Sequence, residues 1–432
     1  MSNLSRAGEA SARYILPSPS ELRAYIATES GRRALVLVNL SSIHFLTIAY
    51  GFAYSQTVLH QVNREIQLHS SAQALTTRTF EGNIVFYVRD KDCTEHLCNT
   101  LACTLAGILA KEGLSWGIGI TEFSNIETKD IEEIFQNTLI ASETALERES
   151  RCCSFSQTMH GEATNEFFIV QELAKITHNQ NHDAICLQYQ PIVDLATNQI
   201  NELEVLCRIK SEKLGIISPS QFIPLAEQTK YIIPLGFMIF QEAFKFLQTL
   251  RSHGFMRIRL SINVSVIQLL DTYFLKTLVA LMHAHAISPS SISLEITESC
   301  IITNYQMINE LFKEIQQLGM QLALDDFGTG YSSLAHERTL HLDSLKIDKI
   351  FVQDLLSIPE ERTIIRDIIS MGHRMGHAII AEGVETERQY AYLHHHGCDK
   401  IQGYWVSEPL YGEAMLRFLG ETSRYQVSGR VV

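Results

Sequence analysis

The second half of the chain alternates short apolar segments with longer amphipathic ones. Segments 234–254 and 305–319 carry apolar residues at the three- and four-residue spacing of a helix face. Eight apolar segments predict strands around them: 185–195, 200–209, 257–265, 291–299, 321–327, 343–352, 377–385 and 400–407. About eight strands alternating with helices over about 240 residues is typical of a (β/α)8, TIM-like barrel. An open doubly wound sheet would need a glycine-rich phosphate-binding fingerprint, which the sequence lacks.

The first part of the chain has a different order of predicted elements. Strands are predicted at 32–46, 83–90 and 114–123, and helices at 57–72, 94–113 and 129–150. This order predicts a smaller α/β domain over residues 1–148. The polar segment 149–182, with a helix predicted at 167–176, would connect it to a barrel domain that spans residues 183–432.

Composition and charge narrow the class of protein. The chain of 432 residues is 46% hydrophobic and 19% charged, and its formal net charge is −13. The negative charge argues against general nucleic-acid binding, which needs a basic face. The nine cysteines form no CxxC pair, which indicates reduced thiols. With neither a signal peptide nor a membrane span in the sequence, we expect a cytoplasmic protein.

Polar side chains lie at or near the predicted ends of most barrel strands. They are Gln190, Glu204, Asn263, Glu295, Asp325, Asp326, Lys346, Glu382 and Gln402. A single acid at a strand end is usually a cap or a surface ion pair, but barrel active sites are built at this rim from several strands. Carboxylates and amides, without histidine or cysteine, suit Mg²⁺ or Mn²⁺ rather than zinc.

Two adjacent aspartates end the segment QLALDDF. Neighbouring strand residues point to opposite faces, so Asp325 and Asp326 converge only if the strand ends there, which Gly328 and Gly330 would permit. A pair of cations between the carboxylates would remove their repulsion. Lys346, two residues from Asp348, should keep its charge among so many acids. Two metal ions side by side suit in-line displacement at phosphorus, and these residues therefore suggest phosphodiester hydrolysis.

The same part of the chain resembles the EAL domain, a bacterial phosphodiesterase that opens cyclic di-GMP to linear pGpG. The resemblance covers about residues 183 to 420 and rests on nine motifs in the family's order: QYQPIVDL, ELEVLCRIK, FIPLAEQT, INVS, LEITES, DDFGTGYSS, LKIDK, AEGVET and IQGYWVSEPL. It implies a two-metal site, with Glu204, Asn263, Glu295 and Asp325 at the first metal ion and Asp325, Asp326 and Glu382 at the second. A homodimer formed through the barrel is also expected.

The resemblance also assigns roles around the metals. Lys346 would orient the attacking water or act as its base. The residues assigned to catalysis are Lys346, Glu382 and Glu204. The implied substrate-binding residues are Gln190, Arg208, Asp348 and Gln402. Glu298 matches the glutamate that stabilises the DDFGTG loop.

Three positions depart from the family pattern. The signature tripeptide is EVL, with Val205 in place of alanine, and Lys230 and His341 replace a glycine and a proline in linking segments. Some relatives of the EVL type bind cyclic di-GMP without cleaving it, although those have generally lost metal ligands as well. A non-hydrolytic cyclic di-GMP receptor or adaptor is therefore the alternative to a hydrolase. A protein kinase, suggested by DFG alone, is excluded because no glycine-rich loop or HRD motif precedes it.

The N-terminal part resembles a GGDEF domain, the diguanylate cyclase fold, in a degenerate form. VLVNLSSIHF occupies the place of the metal-binding strand, with Asn39 in place of its first aspartate. FEGNIVFYV occupies the signature hairpin, with Gly82 and Asn83 but without the Asp-Glu pair. The domain is expected to position or dimerise the protein, or to bind GTP or a protein partner.

We predict that the protein makes no cyclic di-GMP from GTP, because the N-terminal domain lacks the carboxylates that would hold two metal ions. The measurement is incubation of the Glu204→Gln variant, whose barrel should be inactive, with GTP and Mg²⁺, followed by chromatography. Accumulation of cyclic di-GMP would contradict the prediction.

Overall fold

The computed structural model divides into two compact units, Met1–Asn165 and Glu166–Val432, and each is considered by itself. Apart from residues 21, 22, 24 and 26, the described residues are 31–69, 74–78, 83–89, 93–124, 130–148, 150–179, 181–297, 305–328, 340–355 and 363–422. Among them, no helix combines the length and the apolar character that crossing a membrane requires.

The first unit is a five-stranded sheet with helices. Its strands are β1 (Arg33–Asn39), β2 (Ala74–Arg78), β3 (Ile84–Val88), β4 (Gly117–Phe123) and β5 (Cys152–Ser154), in the order β2-β3-β1-β4-β5. Its helices are α1 (His44–Tyr50), α2 (Phe52–His69), α3 (Thr94–Leu109) and α4 (Asp130–Glu147). Only the β4–β5 pair is parallel.

Strand β1 is apolar at every central position because both of its faces are covered. Val36 packs in one core with α2 and α3, and Leu37 packs in a second core with Ile134 of α4. The strand ends earlier than its apolar pattern predicts, because the Asn39 side chain accepts a hydrogen bond from the backbone N–H of Ser41 at 3.0 Å. Such a local bond favours a turn over a continued strand.

The segment expected to connect the domains is more regular than its composition indicates. Cys152–Ser154 pairs with β4 as an edge strand of the first sheet. Helix α5 then runs over Gln157–Asn179 and contains the predicted helix at 167–176.

The second unit is a closed barrel of eight strands, which confirms the predicted fold class. The barrel strands are β6 (Ile185–Asp194), β7 (Gln199–Ser211), β9 (Arg259–Asn263), β10 (Ile292–Thr297), β11 (Gln321–Phe327), β12 (Ser344–Ile347), β13 (Ala378–Ala381) and β14 (Lys400–Gln402). Two short strands, β8 (Gly215–Ile217) and β15 (Leu410–Tyr411), pair outside the ring. The helices are α6 (Pro219–Gln228), α7 (Ile232–Ser252), α8 (Val266–Leu269), α9 (Phe274–Ala284), α10 (Tyr305–Gln317), α11 (Lys349–Asp354), α12 (Ile365–Met375), α13 (Glu387–His395) and α14 (Gly412–Thr422).

One barrel strand runs against the others. β6 is antiparallel to both of its neighbours, β7 and β14, whereas the remaining barrel pairs are parallel. A four-residue turn, 195–198, joins β6 to β7, with Asn198 in the left-handed region at φ 52°. So short a link permits only an antiparallel pair. Gln190 therefore lies in the middle of a strand, opposite Glu204, and not at a carboxyl end as its sequence position suggested.

Strand β12 is shorter than its apolar pattern predicts. It ends at Ile347, and Asp348 caps α11 by accepting a hydrogen bond from the Ile350 backbone N–H at 2.7 Å. The apolar residues that follow belong to this helix, in which Val352 is buried. An aspartate that caps a helix ends the strand here, although the hydrophobicity continues.

Candidate active site

The site is organised around Lys346, whose side chain is 0% exposed. Its Nζ lies 2.5 Å from Glu382 Oε1, 2.8 Å from Glu295 Oε2, 3.1 Å from Asp325 Oδ1 and 3.7 Å from Glu204 Oε1. These four carboxylates come from four different parts of the barrel, β7, β10, β11 and the segment after β13. The arrangement brings four carboxylates together around one ammonium group, which contacts all of them.

Strand alternation explains why the acids point inward. On β7, Leu203 and Val205 pack in the outer core of the barrel, and Glu204 between them faces the opposite way, toward Lys346. Parallel pairing then aligns the strand ends, with Glu295 of β10 directly beside Asn263 of β9. Polar residues at matching positions thus meet at the rim where the parallel strands end.

The two adjacent aspartates converge because the backbone turns between them. Asp326 has φ 54° and Gly328 has φ 93°, both in the left-handed region, and the β11–β12 register shifts between Leu324 and Phe327. A Cβ on Gly328 would lie 2.8 Å from the ring of Phe351, so glycine is needed there for space as well as for φ. The backbone N–H of Asp326 donates to Asp325 Oδ1 at 3.0 Å, which fixes the turn.

Amide side chains surround the Glu204 carboxylate and donate hydrogen bonds to it. Asn263 Nδ2 donates to Glu204 Oε1 at 3.0 Å, and Gln402 Nε2 donates to Glu204 Oε2 at 2.5 Å and to Gln190 Oε1 at 2.9 Å. Gln190 Nε2 in turn donates to the Ser407 carbonyl at 3.1 Å. The antiparallel direction of β6 is what brings Gln190 into this network.

Burial and charge set the protonation of the group. Burial works against the charge of Lys346, but Asp325, Glu204, Glu295 and Glu382 outweigh it and raise the lysine pKa well above its ordinary value. Burial raises the pKa of Glu382 to about 8 and that of Asp326 to about 6, and neighbouring Asp325 adds to both. Burial also raises the pKa of Glu295. Glu204 has the opposite shift, because Lys346, Gln402 and Asn263 overcome its burial and lower its pKa.

The side chains present fit a pair of divalent cations. Oxygens of Glu204, Glu295 and Asp325 lie within 4.8 Å of one another, as do oxygens of Asp325, Asp326 and Glu382. The two groups together contain five carboxylates, of which four contact the ammonium group of Lys346. Among the described residues, none makes a hydrogen bond to the buried Gln402 Oε1 beside Glu204, which leaves one more oxygen for a cation or its water. Hard oxygen donors of this kind suit Mg²⁺ or Mn²⁺.

Within the described part of the structure, Asp348 and Arg208 are not among the residues that contact Lys346. Asp348 is largely buried as the cap of α11, and Asp326 is the carboxylate it contacts. Arg208 shares the inward face of β7 with Glu204, four residues further along, and donates to the Cys207 carbonyl at 2.8 Å. Glu298 lies outside the described residues. The substrate-binding roles of Asp348 and Arg208 stay predictions.

The sequence reasoning missed Ser261. Its hydroxyl donates to Glu295 Oε1 at 2.6 Å, and the residue is 1% exposed. The signal was available in the sequence, because Ser261 lies two residues before Asn263 in the same strand and must share its inward face.

Comparison with known proteins assigns the family. The EAL domain family matches residues 173–409, more than half of the chain, and the protein belongs to this family. It is 31% identical over 308 residues to cyclic di-GMP phosphodiesterase NbdA of Pseudomonas aeruginosa, covering 70% of this chain and 38% of the relative. It is 27% identical over 401 residues to cyclic di-GMP phosphodiesterase PdeR of Escherichia coli, covering 90% and 59%. The chain thus spans less than two thirds of these relatives.

Solved structures show the same architecture. The structure described as "PaMucR Phosphodiesterase, c-di-GMP complex" is 30% identical, with a TM-score of 0.53. The match covers 57% of this chain and 99% of the PaMucR chain. The cAMP-bound EAL enzyme Bd1971 is 26% identical, with a TM-score of 0.56, and covers 70% and 80%. The predicted family is confirmed, whereas the GGDEF resemblance of the first unit stays a prediction.

We predict that divalent metal binds more tightly as the pH rises. With a pKa of about 8, Glu382 holds a proton at neutral pH, and Asp326, with a pKa of about 6, holds one at lower pH. A carboxylate must lose its proton to bind a cation. Calorimetric titration of Mn²⁺ between these two pH values, in buffers of different ionisation enthalpy, measures affinity and proton release together. Affinity should rise with pH and protons should be released. The Glu382→Gln variant is the control, in which less proton release is expected. A pH-independent affinity without proton release would be the contrary result.

Proposed function

We propose that the protein hydrolyses cyclic di-GMP to linear pGpG in a reaction that depends on two divalent metal ions, Mg²⁺ or Mn²⁺. The observation that carries the proposal is the cluster of five carboxylates at the rim of the barrel, four of which contact Lys346. The substrate is supported by the names of the relatives, which are cyclic di-GMP phosphodiesterases.

Each group of side chains has a distinct task in this proposal. Glu204, Asn263, Glu295 and Asp325 would hold one ion, and Asp325, Asp326 and Glu382 would hold the other. The ions, when bound, would activate the attacking water and stabilise charge on the phosphodiester oxygens. Gln190, with Arg208 further along the same rim, would bind the nucleotide. Gln402 fixes Glu204 and Gln190 relative to one another through its two hydrogen bonds.

Lys346 acts as a hydrogen-bond donor in this proposal. An ammonium whose pKa is raised by four carboxylates has no free electron pair to accept a proton. Of the two roles considered from the sequence, orienting the attacking water therefore fits better than acting as its base. The lysine also holds the carboxylates in place before substrate binds.

Val205 does not favour the receptor alternative. The residue is 4% exposed and packs in the outer core of the barrel, on the face of β7 opposite Glu204. Its two methyl groups beyond alanine fill space away from the carboxylates. Self-association through the barrel, and a GTP or protein partner for the first unit, remain predictions from the sequence.

The decisive experiment is an assay of the purified protein with cyclic di-GMP. Mg²⁺ or Mn²⁺ is added, and the products are resolved by chromatography. Metal-dependent appearance of linear pGpG supports the proposal. Tight binding of cyclic di-GMP without cleavage would replace the hydrolase with a receptor.

Glu204→Gln should abolish turnover while the protein stays folded. The substitution keeps the volume but removes one negative charge and one acceptor oxygen from the metal-binding group. Rates of pGpG formation measure the effect, and circular dichroism checks the fold. Turnover like that of the wild type would remove Glu204 from the assigned ligands.

Lys346→Ala should reduce kcat by about 100-fold or more, the scale for removing one preorganised hydrogen-bond donor. Binding of cyclic di-GMP should change little, because an interaction needed mainly in the transition state does not contribute to ground-state affinity. Calorimetry with Ca²⁺ in place of the catalytic ion measures that affinity separately. Undiminished cleavage in the variant would show that the water is oriented by another group.

A further inference from the structure

We propose that Ser261 is a positioning residue that fixes the Glu295 carboxylate for metal binding. The inference rests on the proposed metal site and adds a residue to which neither the family motifs nor the predicted site assigned a role. Ser261 does not contact the predicted ions or the substrate itself. It acts through the orientation of Glu295.

The two oxygens of Glu295 are held from opposite sides. Oε1 accepts the hydroxyl hydrogen of Ser261 at 2.6 Å, and Oε2 accepts from Lys346 at 2.8 Å. The Glu295 side chain is 0% exposed, so water cannot replace either donor. A buried carboxylate that loses one of two donors has an unpaired oxygen and is held from one side only.

The barrel register places Ser261 one layer below Asn263 and Glu295 and level with Glu204. Ser261 pairs with Glu204 on one side and with Ser293 on the other, while Glu295 pairs with Asn263 in the layer above. From this position the hydroxyl reaches diagonally to Glu295 on the neighbouring strand. Lys346 also contacts Glu204 and Asp325, so a rotated Glu295 would displace the ammonium from its place among the other ligands.

The neighbouring strand offers a matched control. Ser293 is buried to the same 1%, lies in the same layer and pairs directly with Ser261. Within the part of the chain that the structure describes, it makes no hydrogen bond to a carboxylate of the site. Ser293→Ala therefore removes an equivalent buried hydroxyl without touching Glu295.

The test compares Ser261→Ala, Ser261→Thr and Ser293→Ala with the wild type in the full chain. Calorimetric titration with Mn²⁺, in the absence of nucleotide, measures metal affinity directly. Ser261→Ala should weaken it by about 10-fold, the lower end of the range for groups that orient a metal ligand. Ser261→Thr, which keeps the hydroxyl, should restore most of the affinity, and Ser293→Ala should match the wild type.

The remaining outcomes separate this inference from the proposed function. Equal Mn²⁺ affinity in Ser261→Ala and Ser293→Ala would overturn the role of Ser261 and leave the hydrolase assignment in place. A loss in both variants, with lowered melting temperatures, would also overturn it, because packing alone would then explain the effect. A wild type that neither binds Mn²⁺ nor cleaves cyclic di-GMP would refute the proposed function itself.

Discussion

The barrel depends on the charge balance around Lys346. An ammonium group without exposure is unfavourable by several kcal/mol unless it is paired, and the same is true of the carboxylates that surround it. Here one lysine contacts Glu204, Glu295, Asp325 and Glu382, so each charge is stabilised only while the others remain in place. One positive charge cannot neutralise all of these acids, and the excess negative charge is what makes the site suited to divalent cations.

Closure of the sheet is what makes this contact possible. The four acids come from separate segments, and only a ring of strands brings their inward faces to one point. The apolar side chains of the strands lie on the opposite face, where residues such as Leu203, Leu294 and Leu324 pack in one core with the surrounding helices. The layer below Asn263 and Glu295 contains the small residues Ser261 and Ser293, and Ser261 adds a hydrogen bond to Glu295 from below.

The first unit has the opposite character. Its central strand buries apolar side chains on both faces. Asn39 stands where the GGDEF family, which this unit resembles in sequence, has a metal-binding aspartate, and its side chain accepts a hydrogen bond from the local backbone. The proposed chemistry is therefore assigned to the barrel alone.

The sequence by itself determined the barrel and its inward-facing acids, because two-residue alternation and strand ends are local properties. Its motifs, and not this periodicity, indicated the family. It also determined that Lys346 would lie among carboxylates. Only the tertiary structure decided the antiparallel direction of β6, the left-handed backbone at Asp326 and the bond from Ser261 to Glu295. These features depend on register and burial between residues far apart in the chain. The pKa of Lys346 likewise depends on four partners whose distances no local pattern contains.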